Sequence, residues 1–187
     1  HATGAGGAFN PDWDKNKAPT PEEIENLRRK AEWVKQQEQL LKQKSYASKK
    51  IEAQKIWDKA TPCDEHPYLQ NNPKTAWIKP IGARHISHVN TTEKQYFANP
   101  LIIPLYDIDT NEIVSLQFIT TTGKKRPLSG AQSTNYHFVI DGKLPSAFCE
   151  GYKTGLAFHH ATGHRVVVCF NADMLKDVFK KLAKSDD

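Results

Sequence analysis

The chain has little cysteine and no long apolar run. Its three cysteines, Cys63, Cys149 and Cys169, are odd in number and lack the paired spacing of a disulfide framework. Two of them lie inside apolar strand-like segments, where a free thiol behaves as a small hydrophobic side chain, so a reducing compartment is favoured. No apolar run approaches the roughly 20 residues of a membrane-spanning helix, and no signal peptide is visible. We expect a cytoplasmic protein with no membrane partner.

Common metal and phosphate motifs are missing as well. The segment Cys63-Asp64-Glu65-His66 offers one Cys and one His where a structural zinc site uses four ligands, so we predict no zinc. Gly4-Ala5-Gly6-Gly7 has no strand before it and no Lys-Ser/Thr pair after it, which argues against a phosphate-binding loop. Asp107 and Asp109 have the spacing of a metal-binding pair, but the neighbouring Asn and Thr residues favour a hairpin turn.

The composition indicates a polar, mildly basic chain. Of its 187 residues, 38% are hydrophobic, and the mean hydropathy of −0.66 is low for a compact globule, so part of the chain should be extended and solvated. The net charge of +5 and the isoelectric point near 9.0 are compatible with a polyanionic partner. The same charge is also compatible with solubility alone. The length suits one domain or two small ones.

The first third of the chain predicts a turn-rich arm, residues 1–19, and then a long basic helix or helical hairpin, residues 20–60. Thr20 and Glu23 form a capping box around Pro21, which is a strong helix start. The helix would run on unbroken or be interrupted near Ser45–Ser48. Its narrow apolar stripe comprises Ile24, Leu27, Ala31, Val34 and Leu41, with Glu38 interrupting it.

Such a helix is either a coiled-coil-like strut or a surface helix that touches the rest of the protein near its ends. Ile56 and Trp57 are the side chains we expect to anchor its C-terminal end. The basic cluster Lys42–Lys55 could follow the phosphates of a nucleic acid, or it could be a solvated helix face.

Residues 61–143 predict a mixed, mainly antiparallel β subdomain. His66–Leu69 should dock a loop on the core, and Trp77–Gly82 reads as a short strand that leads into a turn. Further strands are predicted at Leu101–Leu105, Ile113–Thr120 and Tyr136–Ile140. Between the last two stand three adjacent cations, Lys124, Lys125 and Arg126, which could contact phosphates at a strand rim or lie in a solvated turn.

Residues 144–187 predict a β-α-β-α unit. A buried strand ends at Cys149, a helix follows over Tyr152–Thr162 with Leu156, Ala157 and Phe158 facing the sheet, and Gly163 stops it. Arg165–Phe170 has the continuous apolar character of a buried parallel strand, and the crossover rule places the two strands side by side. Asn171 can cap the last helix, whose apolar stripe comprises Met174, Leu175, Val178, Phe179 and Leu182.

Glu150 and Gly151 stand between the first strand and the first helix of this unit. The C-terminal end of a strand is where ligands bind in open α/β sheets, and Gly151 allows a sharp turn there. The position is also compatible with an ordinary strand-to-helix turn that carries a solvated glutamate.

The letters around Glu150 add a family resemblance. Glu150-Gly151-Tyr152-Lys153-Thr154-Gly155 resembles the EGYAT signature of TOPRIM-type primases from conjugative plasmids and satellite phages. Downstream, Phe170–Leu175 resembles the F-x-A-G-N-L segment of that family, with Asp173 and Met174 in place of Gly and Asn. Upstream, five ordered segments resemble the same family: His66–Leu69, Gly82–Arg84, Pro104–Asp107, Ser115–Ile119 and Gly123–Gly130.

This resemblance implies a fold and an activity. The fold would be α+β, with a helical arm, a mixed β subdomain and a TOPRIM half. The activity would be that of a DNA primase, which synthesises short RNA primers from ribonucleotides on single-stranded DNA by nucleotidyl transfer with Mg²⁺ or Mn²⁺. Replication of a plasmid or phage, and a fused or partner helicase, are further implications.

The resemblance also implies roles for particular residues. Glu150 would be a metal ligand and catalytic acid or base, and Gly151, Tyr152 and Thr154 match the letters of its motif. Lys153 departs from the motif's Ala and would pair with Glu150, touch a phosphate or point to solvent. The basic residues of the subdomain before the TOPRIM fold would contact template or nucleotide: Lys125 and Arg126 first, with Lys124 and Arg84.

One element of the family is missing. The Asp-x-Asp that completes the metal site should follow on a third strand, and Asp186-Asp187 does not match it because the two are adjacent and no strand precedes them. We therefore expect a truncated or continuing chain, or a degenerate relative, whose isolated segment is inactive and binds metal only with the missing pair. The alternatives are a non-catalytic module that binds single-stranded nucleic acid and another TOPRIM activity, such as a nuclease or topoisomerase.

Overall fold

The computed structural model describes residues 19–182. The predicted turn-rich arm therefore lies outside the described residues except for Pro19, as do residues 183–187. The chain divides into two compact units, residues 1–42 and residues 43–187. The first unit contains, in its described part, the beginning of helix α1 (Pro21–Lys59), and the second contains the end of that helix and every other helix and strand described below.

Helix α1 begins with the predicted capping box. The Glu23 amide donates to Thr20 Oγ1 at 3.3 Å, and the Thr20 amide donates to Glu23 Oε2 at 2.7 Å. The helix is a single element of 39 residues with no interruption near Ser45–Ser48. Every residue from 19 to 42 is exposed, whereas Lys49 and Ala53 are buried in the second unit. Among residues 19–182, no helix is both long and apolar enough to cross a membrane.

The second unit is built on a mixed sheet. Ten strands and three further helices follow α1: β1 (Thr61–Pro62), α2 (Pro67–Gln70), β2 (Arg84–His85), β3 (His88–Asn90), β4 (Tyr96–Ala98), β5 (Leu101–Asp107), β6 (Ile113–Ile119), β7 (Lys125–Pro127), β8 (Tyr136–Ile140), β9 (Lys143–Cys149), α3 (Tyr152–Thr162), β10 (His164–Val168) and α4 (Ala172–Leu182).

Eight of these strands form one sheet in the order β1-β2-β5-β8-β10-β9, and β6 pairs with β5 and carries β7 on its other side. The strands β3 and β4 form a separate hairpin. All pairs in the large sheet are antiparallel except that of β9 with β10, which is parallel. The fold is thus α+β with a long N-terminal helix and a mixed sheet, as the sequence predicts.

The C-terminal part has the predicted β-α-β-α order, with its two strands adjacent and parallel. Alternate residues of β10 face opposite sides of the sheet. Val166 and Val168 lie in one core cluster with the α3 residue Leu156, whereas Val167 lies in another with the α4 residue Val178. The two helices therefore cover opposite faces of the β9–β10 pair.

The first strand of this unit differs from its prediction. We expected a buried strand before Glu150, but β9 is the last strand of the described sheet, and none of its residues is buried. Buried positions belong instead to β10, which has neighbours on both sides. On α3, Leu156 is buried as predicted, but Phe158 is 42% exposed and does not face the core.

The predicted strand at Trp77–Gly82 is also wrong, because this segment has no strand structure. Its backbone pairs with a side chain instead of a neighbouring strand. The Tyr152 hydroxyl accepts from the Ile81 amide and donates to the Ile81 carbonyl, both at 2.9 Å. These two bonds satisfy the Ile81 amide and carbonyl, which in a strand would be paired with the backbone of a neighbouring strand.

The turn prediction for Asp107–Asn111 is confirmed. Asp107 Oδ1 accepts from the amides of Asp109 and Thr110, both at 3.0 Å, which is the local bonding expected of aspartate in a turn. Its second oxygen accepts from the side chains of Gln132 and Asn135, again at 3.0 Å. Asp107 therefore connects the β5–β6 hairpin with the loop before β8.

Candidate functional site

The Glu150–Gly151 turn connects the end of β9 with the start of α3. Gly151 is the N-cap residue in an extended conformation (φ −115°, ψ 135°), and no side chain caps the helix. The first helical bond is donated by the Gly155 amide to the Gly151 carbonyl at 2.9 Å. The three preceding amides, at residues 152–154, accordingly have no partner within the helix, and the helix dipole makes this end favourable for negative charge.

Glu150 is exposed at this turn. Glu150 thus occupies the predicted place, after a strand and before a helix, on the surface of the protein.

A lysine from a different part of the chain lies beside this turn. Lys125 Nζ is 3.7 Å from the position that a Cβ atom would take at Gly151, and Thr154 Oγ1 is 3.6 Å from it. Lys125 reaches this place because β7 pairs with β6, where Lys125 is opposite Ile119. Ile119 belongs to the same core cluster as Tyr152 and Leu156 of α3. The structure therefore brings together two of the predicted site segments, β7 and the EGYKT turn.

The three cations of the predicted rim, Lys124, Lys125 and Arg126, do not lie on one surface of the protein. Residues that are directly opposite in an antiparallel pair share a face, and Arg126 is opposite Phe118, which packs with Ala53 of α1. Arg126 thus faces the α1 side of the sheet, and its Nη1 donates to the Lys125 carbonyl at 3.3 Å. Lys124 is exposed in the turn before β7. Of these three, Lys125 is the residue next to the start of α3.

Arg84 is engaged elsewhere. Its guanidinium carbon lies 4.4 Å from the centroid of the Trp57 ring, and its Nη1 donates to the Trp57 carbonyl at 2.9 Å. An arginine that satisfies a carbonyl in the last turn of a helix stabilises that helix end. The structure does not bring Arg84 together with Lys125, and it confirms Trp57 as an anchor of the end of α1.

Within the motif itself, Tyr152 has a structural position. Its side chain is fully buried, packs at 5.8 Å and 64° against the Phe138 ring and holds Ile81 by the two hydrogen bonds described above. Burial raises the pKa of the Tyr152 hydroxyl far above its ordinary value, so the group remains a neutral donor and acceptor.

Lys153 and Tyr68 complete the surroundings of the turn. Lys153 Nζ lies 5.1 Å from the centroid of the Tyr68 ring, a cation–π distance, so this side chain neither pairs with Glu150 nor extends freely into solvent. The Tyr68 ring also lies 3.5 Å from the Cβ position of Gly123, in the turn just before Lys124. The Tyr68 ring thus lies next to both the β6–β7 turn and the first turn of α3.

Tyr68 was not among the predicted site residues. The signal for it was present in His66–Leu69, which the sequence predicts to dock a loop, and that prediction is confirmed. His66 Nδ1 accepts from the Tyr68 amide at 3.2 Å, and its Nε2 lies 2.9 Å from the Asn99 carbonyl oxygen. Burial lowers the pKa of His66, which keeps the ring neutral in this role. The docked loop is what positions Tyr68.

The metal implied by the resemblance can be tested against the donors around Glu150. Across residues 19–182, no group of three His, Cys, Asp or Glu side chains could hold a metal ion. At the Glu150–Gly151 turn the neighbouring charged group is the Lys125 ammonium, which repels a cation. The described residues therefore do not fit a Mg²⁺ site, and we derive no metal-dependent step from them.

What this arrangement can do is bind an anion. It combines two ammonium groups, Lys125 and Lys153, with a helix start whose amides have no helical partner.

No model of a known protein family matches the chain, and no solved structure matches it.

Proposed function

We propose that this chain binds single-stranded nucleic acid through phosphate contacts at the α3 corner, the surface formed by Lys125, Lys153 and the Gly151–Thr154 start of α3. The observation that carries this proposal is the position of Lys125 Nζ, 3.7 Å from the Cβ position of Gly151. It adds an exposed positive charge to a helix start that already favours an anion.

The choice of nucleic acid as the anion rests on the resemblance together with this geometry. Segments that resemble the landmarks of TOPRIM-type primases are far apart in sequence, yet three of them meet here: His66–Leu69, Gly123–Lys125 and Glu150–Thr154. We infer that the chain is part of a primase of that kind, acting in plasmid or phage replication. The α3 corner would hold a phosphate of the single-stranded template or of a ribonucleotide.

The catalytic part of this proposal needs more than the described residues. Primer synthesis by the family uses Mg²⁺ or Mn²⁺ held by several carboxylates, and the described residues supply Glu150 alone at this place. We propose that the described segment is inactive by itself and that further carboxylates join Glu150 in the active enzyme. The competing proposal is a non-catalytic binding module of a replication protein, and it is favoured by Lys125, whose ammonium lies next to Gly151.

Binding is tested by titrating a fluorescent oligothymidylate with the whole chain and measuring the fluorescence anisotropy of the oligonucleotide. Lys125→Gln should weaken binding by about threefold to tenfold, the range for one phosphate contact. Arg126→Gln is the matched control, because it removes a neighbouring cation that faces the other side of the sheet. Equal losses from both variants would show that net charge, and not the α3 corner, determines binding.

Catalysis is tested separately by primer synthesis from ribonucleotides on single-stranded DNA with Mg²⁺. The chain is compared with a version extended beyond Asp187, with and without Glu150→Gln. Activity confined to the extended chain and abolished by Glu150→Gln supports the primase proposal. If both versions bind DNA and neither makes primers, the binding module is the better description.

A further inference from the structure

The first half of helix α1 carries an exposed apolar row with a heptad repeat. Ile24, Leu27, Ala31, Val34, Glu38 and Leu41 follow one another at alternating spacings of three and four residues. Their apolar side chains are open to solvent: Ile24 is 38%, Leu27 42%, Val34 46% and Leu41 65% exposed. Trp33 (61%) and Leu40 (45%) are also exposed, but each stands one residue before a member of the row and lies outside it. Exposed apolar rows of this kind mark interaction surfaces.

The spacing specifies the geometry of the partner. A repeat of 3.5 residues, slightly shorter than the 3.6 of an α-helix, keeps its apolar side chains on a seam that winds around a second helix in a left-handed supercoil. The row spans residues 24–41, which is about 27 Å of helix at about 1.5 Å per residue. In heptad notation Ile24, Ala31 and Glu38 are at a positions, and Leu27, Val34 and Leu41 are at d positions.

The residues that flank the seam indicate the charge of the partner. Arg28 and Lys35 occupy e positions and Lys30 occupies a g position, whereas Glu23 is the acidic residue among the flanking positions of this stretch. Flanking charges of a coiled coil determine which helices pair. A seam bordered by cations therefore favours a helix bordered by carboxylates.

A second copy of this chain fits less well. In a parallel pair of copies, Glu23 would attract Arg28 of the other copy, but Lys30 would stand against Lys35 on both sides of the seam. An antiparallel pair that aligns Ile24 with Leu41 would bring Arg28 beside Lys35. In the parallel pair, Glu38 at its a position would also face Glu38 of the second copy across the seam.

Binding of nucleic acid to this part of α1 would account for its cations but not for its apolar seam. Phosphate contacts need lysine and arginine, and they gain nothing from a row of Ile, Leu and Val on the same helix. We propose that residues 24–41 of α1 form a left-handed coiled coil with an amphipathic helix of another protein, whose apolar seam is bordered by Glu or Asp. This interaction is independent of the α3 corner.

The test uses the whole chain and two synthetic helical peptides of three to four heptads with Leu and Ile at a and d. One peptide has Glu at every e and g position, and the other has Lys there. The acidic peptide should bind one-to-one, measured by titration calorimetry and sedimentation, and Val34→Asp should weaken it by about tenfold or more because it places a charge in the seam. Gln36→Asp is the matched control, since Gln36 is at the outward f position.

A charge exchange tests the choice of partner. Lys30→Glu with Lys35→Glu should weaken binding of the acidic peptide by about tenfold and allow the basic peptide to bind. The proposal is overturned if the acidic peptide does not bind, if both peptides bind equally, or if sedimentation shows that the chain associates with itself through this seam. It is also overturned if single-stranded DNA binds residues 24–41 with losses from the lysine substitutions but none from Val34→Asp.

Discussion

The Tyr152 hydroxyl is bonded to both backbone groups of Ile81, accepting from its amide and donating to its carbonyl at 2.9 Å each. The two residues are 71 positions apart in the chain. Through this contact the first turn of α3 holds the loop that precedes β2. The tyrosine of the EGYKT segment thus stabilises the surface on which the candidate site is built, and it does so from inside the core.

Tyr152→Phe should accordingly reduce stability and leave nucleic-acid binding unchanged. The substitution removes one hydroxyl and leaves an amide and a carbonyl without their partner, which costs about 1–3 kcal/mol in the free energy of unfolding. Urea unfolding followed by tryptophan fluorescence measures this difference. Tyr96→Phe is the control, since Tyr96 is 64% exposed and should change stability little. A loss of DNA affinity in folded Tyr152→Phe would assign Tyr152 a direct role in binding.

Asp107 should make stability depend on pH in the acid range. Burial alone would raise the pKa of its carboxyl, but hydrogen bonds from Gln132, Thr110, Asp109 and Asn135 hold that pKa below its ordinary value. The folded protein then binds this proton less readily than the unfolded chain. The stabilisation is therefore complete above the unfolded pKa of about 4 and is lost as the pH falls through the lower, folded pKa.

Asp107→Asn should lower the free energy of unfolding at pH 7 by about 1–3 kcal/mol, because bonds to a charged acceptor are replaced by weaker ones. The difference between the variant and the native chain should shrink as the pH is lowered below about 4. Urea unfolding at a series of pH values measures it, with the exposed Asp177→Asn as control. A difference that is constant from pH 7 to pH 3 would mean that the carboxylate charge contributes nothing.

Two glycines should respond differently to alanine. A Cβ atom at Gly142 would lie 2.6 Å from both the Gly163 carbonyl oxygen and the His164 carbonyl carbon, which are backbone atoms and cannot turn aside. At Gly151 the nearest atoms are 3.6 Å and 3.7 Å away, an ordinary contact. Gly142→Ala should destabilise the protein by about 1–3 kcal/mol or more. Gly151→Ala should change stability by less than about 1 kcal/mol, the size of a capping effect.

Thermal or urea unfolding of the two variants side by side provides the check. Similar losses at both positions would show that the close approach of Gly142 to the backbone at the start of β10 is not the reason for glycine at position 142. Gly151→Ala should also retain DNA binding, because Lys125 keeps an ordinary distance from the added methyl group.

Local signals were sufficient to predict many of the elements. Thr20 and Glu23 mark the start of α1 because a capping box is formed within four residues, and α3 has its predicted bounds because Gly151 and Gly163 flank it. Asn171 caps α4 as expected, accepting from the Asp173 amide at 2.9 Å. Each of these features depends on neighbours in sequence, which is why the sequence reveals them.

Features that depend on distant partners were not predictable in the same way. The segment Trp77–Gly82 has the composition of a strand, but its backbone pairs with Tyr152, a contact that no periodicity encodes. The division of Lys125 and Arg126 between two faces follows from the pairing of β7 with β6, which the sequence did not specify. The meeting of Lys125 with Gly151 depends on how several strands are arranged in one sheet.

The salt dependence of single-stranded DNA binding tests the central claim most directly. For single strands, the slope of the logarithm of affinity against that of salt concentration changes by about 0.7 for each phosphate contact. We predict that Lys125→Gln lowers this slope by about that amount, while Lys124→Gln, a neighbouring exposed cation in the turn, lowers it less. A slope for Lys125→Gln equal to that of the native chain would contradict a phosphate contact at the start of α3.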